Sequence, residues 1–233
     1  SKSARAPRSV PPPGLSDTRL ALMRAAEHLM AEQGIDFVSL RQVSATAGQL
    51  NNSAVLYHFG SRDALIDAIL ERHSHPIQAR WSSQLDFIER QGITGLRPLV
   101  EMLVLEIVNK LDDPDGGWEY ISICAQLSMA PQRPLVERDV GNTPTVQRLV
   151  AAMLPYYPVP PEILPLRFER LLGTIYPGIV GWRRHEKSGQ PPVSRDVFAS
   201  ELVDTVEAIV TQPLSAETRE LLEREAPASR RTR

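Results

Sequence analysis

The strongest structural signal in this chain comes from residues 39–65, which read SLRQVSATAGQLNNSAVLYHFGSRDAL. They predict two short helices joined by a tight polar turn. Gly48 ends the first helix, because glycine adopts the left-handed conformation past a helix end without strain. Each residue of 51–53, Asn-Asn-Ser, can cap the second helix, 54–59, by accepting a backbone hydrogen bond. This is the pattern of a helix-turn-helix, whose second helix enters a DNA major groove.

The second helix has only one inward side. Leu56 and Phe59 are three residues apart, so we expect them to face the core together. The remaining residues would face outward, namely Ala54, Val55, Tyr57 and His58. Gly60 would end the helix.

Recognition helices contact base edges with their N-terminal residues. Asparagine can pair with adenine, and a small aliphatic side chain can meet a thymine methyl group. The candidates for reading bases are therefore Asn51, Asn52, Ser53, Ala54 and Val55. The candidates for holding phosphates, which position the protein without specifying sequence, are Ser39, Arg41, Tyr57, His58 and Arg62. Two of these have other readings: Tyr57 could only pack the domain, and Arg62 could be a solvated first-turn residue.

The same residues carry a family resemblance. Ala47-Gly48, followed by LYHFGSRDAL at 56–65, resembles the DNA-binding domain of the TetR family of bacterial transcriptional regulators. The usual pattern there is Ala-Gly, then Leu-Tyr-x-(His/Tyr)-Phe, a small residue, and Ser-Lys-Glu-x-Leu. The resemblance covers roughly 17–73. The link from Gly48 to Leu56 is about two residues longer than the family's commonest form, which leaves the start of the second helix open by one or two residues.

Apolar residues recur at helical spacing beyond the motif, and no strand alternation or repeat is found, so we predict an all-α fold. The resemblance implies a three-helix DNA-binding domain followed by a larger helical domain that binds a ligand and dimerises. The expected division is a disordered basic arm at 1–15, the helix-turn-helix domain at 16–62, the effector-binding and dimerisation domain at 63–225, and a tail at 226–233. At Pro76 either a helix kinks or a new one begins.

Charge and composition set broad limits. The formal net charge is −2, so DNA binding would need local positive charge, with the basic arm either solvated or entering a minor groove. The single cysteine, Cys124, excludes an intrachain disulfide and fits a cytoplasmic location. The sequence contains no run of about 18 apolar residues, so no membrane span is predicted.

Motifs for catalysis are lacking. The five histidines show no metal-binding spacing, and neither a phosphate-binding loop nor a Gly-x-Ser-x-Gly elbow occurs. We therefore expect no enzyme activity, no metal and no cofactor.

Adaptable side chains in the middle helices form a possible pocket. Taken singly, each is more simply explained as core, but methionines and aromatics can together line an apolar cavity. The resemblance implies such a pocket for a small effector. The candidates are Trp81, Met102, Trp118, Cys124, Met129, Tyr156 and Tyr176. Few charged residues share these faces, so we expect a mostly apolar or aromatic effector.

The last two long helices have broad apolar faces, which are either buried within one chain or form a four-helix dimer interface. The interface candidates are Phe168, Leu172, Ile175, Ile179, Trp182, Phe198, Leu202, Val206 and Ile209. Two recognition helices on a twofold axis would read a palindrome with half-sites about 34–36 Å apart.

The sequence thus favours a ligand-responsive DNA-binding regulator. Repression relieved by a ligand is usual in the family that it resembles. The chain would then be a repressor that binds a palindromic operator in double-stranded DNA as a homodimer, and a small molecule would release it. Two alternatives remain open. One is a helical lipid- or metabolite-binding protein whose helix-turn-helix no longer binds DNA, and the other is a small all-α enzyme.

Overall fold

The structure is a computed structural model that describes residues 15–49, 51, 53–130, 132–138 and 141–225. Several predicted features therefore lie outside the described residues. They are the arm, of which only Leu15 is described, Asn52, and the tail 226–233. Every regular element within the described ranges is a helix, which confirms the all-α prediction. No helix in this part of the chain is long and apolar enough to cross a membrane.

The N-terminal unit ends at Arg72. It contains α1 (Leu15–Gln33), α2 (Leu40–Thr46), α3 (Ala54–Phe59) and the start of α4 (Arg62–Gln91). Its core is made of apolar side chains from all four helices, among them Leu22, Met30, Val43, Val55, Leu65 and Ile69. The division falls after Arg72 rather than after Arg62, and the first turns of α4 supply part of this core. The carboxylate of buried Glu27 in α1 also pairs with Arg72 at 2.9 Å.

Local sequence explains where α2 and α3 begin and end. Ser39 Oγ accepts from the backbone N–H of Gln42, whose Oε1 in turn accepts from the Ser39 backbone N–H at 2.8 Å, so α2 starts with a capping box. Gly48 and Gly60 have φ angles of 70° and 78°, as predicted for glycines that follow helices.

The cap of α3 differs from the prediction. The Ser53 side chain makes no capping bond. Instead Asn51 Oδ1 accepts from the Ser53 backbone N–H at 2.9 Å, which fixes the turn just before the helix.

The C-terminal unit begins at His73. It contains the rest of α4 and the helices α5 (Arg97–Asn109), α6 (Gly117–Ser128), α7 (Pro144–Met153), α8 (Leu164–Lys187), α9 (Arg195–Thr211) and α10 (Ala216–Glu225). Pro76 lies inside α4, so no new helix begins there. Helix α8 packs on α6 and α9, and α9 also packs on α5.

The predicted dimer face of α8 and α9 is largely buried within one chain. Five of its nine residues are buried there, namely Ile175, Ile179, Trp182, Leu202 and Val206. The Trp182 ring stacks on Phe198, another member of the face, with centroids 5.2 Å apart. The interface assignment is wrong for these side chains, because α8 and α9 pack against each other and direct their apolar stripes into the core of their own unit.

Candidate nucleic-acid interface and internal cavity

Helix α3 presents two large side chains on the surface of the N-terminal unit. Leu56 is 51% exposed and Tyr57 is 75% exposed. The Tyr57 and His58 rings meet edge to face, with their centroids 5.0 Å apart. The His58 carbonyl accepts from Arg19 Nη1 at 2.7 Å, and the Arg19 guanidinium also covers the Phe59 ring. The C-terminal end of α3 is thus fixed to α1, while Leu56 and Tyr57 stay accessible.

The sequence-based register of α3 is wrong by one position. Ala54 and Val55 are buried rather than outward-facing, and Leu56 is outward-facing rather than buried. The inward side pairs Val55 with Phe59, four residues apart, instead of Leu56 with Phe59. Ala54 and Val55 therefore cannot touch base edges, and Leu56 occupies an outward position that the sequence reading missed.

The other predicted contact residues occupy varied positions. Asn51, Ser53, Ser39 and Arg41 are exposed, the first pair just before α3 and the second pair at the start of α2. The Ser39 hydroxyl also donates to Gln42 Oε1 at 2.7 Å.

Arg62 has an internal role. Its guanidinium donates to the backbone carbonyls of Val38, at 2.6 Å, and Ile35. These carbonyls lie in the turn that precedes α2, so Arg62 fastens the start of α4 to that turn. A role for Arg62 in holding phosphates is not supported by this placement, and the alternative of a merely solvated residue is wrong.

We expect Arg62→Gln to destabilise the N-terminal unit by about 2–4 kcal/mol, because two backbone carbonyls lose a charged donor. The measurement is urea unfolding followed by circular dichroism. Arg41→Gln is the matched control, since it makes the same change at an exposed position and should alter stability by less than about 0.5 kcal/mol. Equal stability of the two variants would show that the Arg62 clamp is unimportant.

The C-terminal unit encloses a cavity of about 210 Å³. Its wall is mainly aliphatic and aromatic, with Trp81 from α4, Tyr120 from α6, Met153 from α7, and Phe168 and Tyr176 from α8. Trp81 and Tyr176 were predicted as pocket residues. Phe168 and Leu172 were predicted at the dimer interface, but they lie in the cavity wall.

The remaining pocket candidates lie away from the cavity wall. Met102 is buried in the core, and Trp118 lies beneath the Lys187 ammonium at 4.5 Å. Met129 is 72% exposed, and the Tyr156 hydroxyl accepts from the Gly95 backbone N–H. These four candidates do not line this cavity, although Met129 lines a second, more open pocket between α6 and α8. Core, surface and cavity use the same residue types, and helical spacing does not say which side meets empty space.

A buried polar cluster lies beside the cavity. The Tyr120 and Tyr176 rings meet edge to face at 6.4 Å, and the Cys124 thiol hydrogen-bonds with both hydroxyls. Burial raises the pKa of Cys124 to about 12, and burial likewise raises the pKa of both tyrosines well above 10. All three groups are therefore neutral at physiological pH. Tyr120 was missed by the sequence analysis, although it lies four residues before Cys124 on α6 and so shares one side of that helix with it.

We expect native Cys124 to be unreactive toward a thiol reagent such as 5,5′-dithiobis(2-nitrobenzoate) at pH 8. The thiol is fully buried and its raised pKa leaves almost no thiolate. The same protein in urea should release one equivalent of thionitrobenzoate, since it contains one cysteine. Rapid labelling of the native protein would contradict the burial of this cluster.

Comparison with known proteins gives three findings. Residues 22–69 match the family model described as bacterial regulatory proteins, tetR family. The HTH-type transcriptional repressor Rv3405c of Mycobacterium tuberculosis is 32% identical over 81 residues, which cover 34% of this chain and 43% of the relative. The HTH-type transcriptional regulator Mb3439c of Mycobacterium bovis matches to the same extent. The chain thus spans less than half the length of these curated relatives.

Solved structures show similarity over longer stretches. Mycobacterium smegmatis AmtR is 18% identical, with a TM-score of 0.46, covering 95% of this chain and 98% of that one. A tetR-family transcriptional regulator from Streptomyces coelicolor is 17% identical, also with a TM-score of 0.46, covering 94% and 100%.

Proposed function

The N-terminal helices of this chain belong to the TetR family of bacterial regulators, and from this premise we propose that the protein is a ligand-responsive transcriptional repressor. The family resemblance predicted from residues 47–65 is confirmed by the family model over 22–69. A helix-turn-helix domain of this family binds DNA. We propose further that the protein binds a palindromic operator as a homodimer and that a small, mostly apolar effector releases it.

The observation that supports DNA binding most strongly is the exposure of Leu56 and Tyr57 on α3. Large apolar side chains usually gain free energy by burial, and two neighbours left accessible on a short rigid helix fit a surface that another molecule covers. In a major groove, Leu56 can meet thymine methyl groups, and the Tyr57 hydroxyl can donate to a phosphate.

The homodimer follows from the size of the recognition helix. Helix α3 has six residues and can reach only a few base pairs, so two copies on a twofold axis are needed for a specific site. The apolar residues left exposed on α8 and α9 include Leu166 and Val197. These side chains support contact between copies through the outer faces of the two helices, since the inner faces are occupied.

The effector is supported by the cavity of the C-terminal unit and its apolar wall. A ligand can release DNA only if it binds more tightly to a form of the protein that binds DNA less well. The free energy that drives release comes from the difference between the effector's affinities for these two forms of the protein.

The test is sedimentation velocity on the purified chain, alone and with a palindromic duplex obtained by selection. We expect a dimer at micromolar concentration and two protomers on each palindrome. A chain that sediments as a monomer, and binds a single half-site as tightly as the palindrome, would contradict the dimeric repressor.

A further inference from the structure

Helix α3 is too short to hold its own orientation. It has six residues, and isolated helices shorter than about 12–15 residues are marginal in water. Its first turn also lacks a side-chain cap, since the Ser53 side chain makes no capping bond. The direction in which α3 presents Leu56 and Tyr57 therefore depends on the contacts that anchor α3 to the rest of the N-terminal unit.

Two such anchors lie at different points along α3. Val55, near its start, is fully buried in the core of the unit. At its end, the His58 carbonyl accepts a hydrogen bond from Arg19 Nη1 at 2.7 Å. The same guanidinium lies over the Phe59 ring, with Cζ 4.2 Å from the ring centroid. One anchor would leave α3 free to tilt about it, whereas two anchors fix its direction.

Arg19 caps α3 from a neighbouring helix. The last carbonyls of a helix have no donor within that helix. The backbone N–H of Gly60, just past α3, bonds to the Leu56 carbonyl at 2.9 Å, and the Arg19 guanidinium serves the His58 carbonyl. A cation at the C-terminal end of a helix is also favoured by the helix dipole, and the contact with the Phe59 ring adds a cation–π interaction.

A tilt of α3 would affect base reading more than attraction to the DNA backbone. Contacts with base edges are made only when the side chains lie within about 0.5 Å and 10–20° of the productive geometry. The attraction between basic side chains and phosphates is electrostatic and independent of sequence, so it tolerates a small displacement. The Tyr57 hydroxyl lies at the end of a long, exposed side chain and can still reach a phosphate after a small tilt. The contacts of Arg19 should therefore matter for specific binding and much less for non-specific binding.

We propose that Arg19 is a positioning residue for sequence reading, because its two contacts hold the end of α3 at the angle at which Leu56 meets base edges. This inference rests on the proposed function, since it takes α3 to be a recognition helix. It assigns an effect on specificity to a side chain of α1, which lies outside the helix-turn-helix motif itself.

The test measures two affinities for each variant by fluorescence anisotropy at fixed salt concentration, one for the selected palindrome and one for a scrambled duplex of the same length. Arg19→Met keeps an unbranched chain beside Phe59 and removes the donor and the charge. We expect the ratio of specific to non-specific affinity to fall about tenfold or more. Non-specific affinity should change less than about threefold. Arg19→Lys retains a charged donor and should recover most of the ratio.

Glu27→Gln is the matched control for stability. Glu27 is another side chain of α1 that anchors a neighbouring helix, but it binds Arg72 in α4 rather than α3. Its loss should destabilise the N-terminal unit and leave the ratio of affinities unchanged. Urea unfolding, followed by circular dichroism, defines the conditions in which every variant is folded.

The salt dependence of binding distinguishes a positioning residue from a direct phosphate contact. A cation that binds a phosphate releases counterions, so its removal reduces the slope of log affinity against log salt concentration by about one for each protomer. Because Arg19 is bound to the His58 carbonyl, we expect Arg19→Met to keep the wild-type slope.

The outcomes separate this inference from the proposed function. A wild-type ratio in Arg19→Met would overturn the positioning role and leave the DNA-binding regulator standing. Equal losses of both affinities, with a reduced salt slope, would make Arg19 a phosphate contact, and an equal fall of the ratio in Glu27→Gln would make the effect one of stability. Either result overturns the inference. If the wild-type protein selects no sequence, the proposed function fails, and the inference that rests on it fails as well.

Discussion

Tyr57→Phe will lower the affinity for palindromic DNA by about a hundredfold or more, with little dependence on the sequence. The side chain is 75% exposed on α3, so the change should leave folding intact. A hydrogen bond to a charged group contributes about 1.5–3 kcal/mol, and a dimer would lose two such bonds. Phosphate contacts position a protein without reading bases, so the loss should be uniform. Fluorescence anisotropy at fixed salt concentration measures it.

Two further variants test whether the effect on DNA binding is specific to α3. Leu56→Ala should change the preferred base pair at one position in each half-site, because a contact with a thymine methyl group is lost. Phe87→Ala in the C-terminal unit truncates a side chain that is 53% exposed, similar to Leu56, and should alter neither affinity nor preference. Wild-type affinity in Tyr57→Phe would refute the proposed phosphate contact.

Gly117→Ala will destabilise the C-terminal unit by about 3 kcal/mol, which corresponds to a melting temperature lower by roughly 6–12 °C. A Cβ atom at this position would lie 2.1 Å from the Lys110 carbonyl oxygen and 3.1 Å from Asp113 Cβ. The carbonyl is held in place, since it accepts from the Asp113 backbone N–H at 3.1 Å. The buried Lys110 ammonium also pairs with the Asp113 carboxylate. Differential scanning calorimetry measures the change.

Gly173→Ala supplies the control for the glycine effect. A Cβ atom there would meet only the Met129 sulfur at 3.7 Å, an ordinary contact with a mobile side chain. Alanine should be neutral or slightly stabilising in this helical position, because it has the higher helix propensity. Equal melting temperatures for the two variants would show that the backbone near Lys110 can move at little cost.

Much of the N-terminal unit was predictable because its signals are local. Gly48 and Gly60 end α2 and α3 with a positive φ, as predicted, and Ser39 starts α2 with a capping box, so these helix ends depend on nearby residues alone. The inward side of α3 was not predictable in this way. Val55 and Leu56 are both apolar, and packing against the rest of the unit, rather than spacing within six residues, decides which of them is buried.

The roles of Arg62 and of the α8 and α9 stripes were missed for a related reason. The sequence shows a cation in the first turn of a helix, but not the carbonyls of Ile35 and Val38 that the fold places beside it. Ile175, Ile179 and Trp182 form the same apolar stripe whether a second chain or a neighbouring helix covers it. The packing of α8 on both α6 and α9 decides between these cases.

The sequence predicted the apolar and aromatic character of the cavity wall, but not most of the residues that form it. Trp81 and Tyr176 lie in its wall, whereas Trp118 and Met129 do not. A helix exposes different sides to core, solvent and cavity, and the position of a void depends on how several helices meet. Pattern reading therefore gave the chemistry of the wall, apolar and aromatic, better than its membership.

Selection of random duplex DNA on the purified 233-residue chain tests the central claim most directly, with Tyr57→Ala as the control protein. The account predicts enrichment of a palindrome whose half-sites lie about one helical turn apart, and loss of that enrichment in the variant. If no sequence is enriched even at low salt, the helix-turn-helix does not read DNA. The chain would then be better explained as a helical protein that binds lipids or metabolites in its C-terminal cavity.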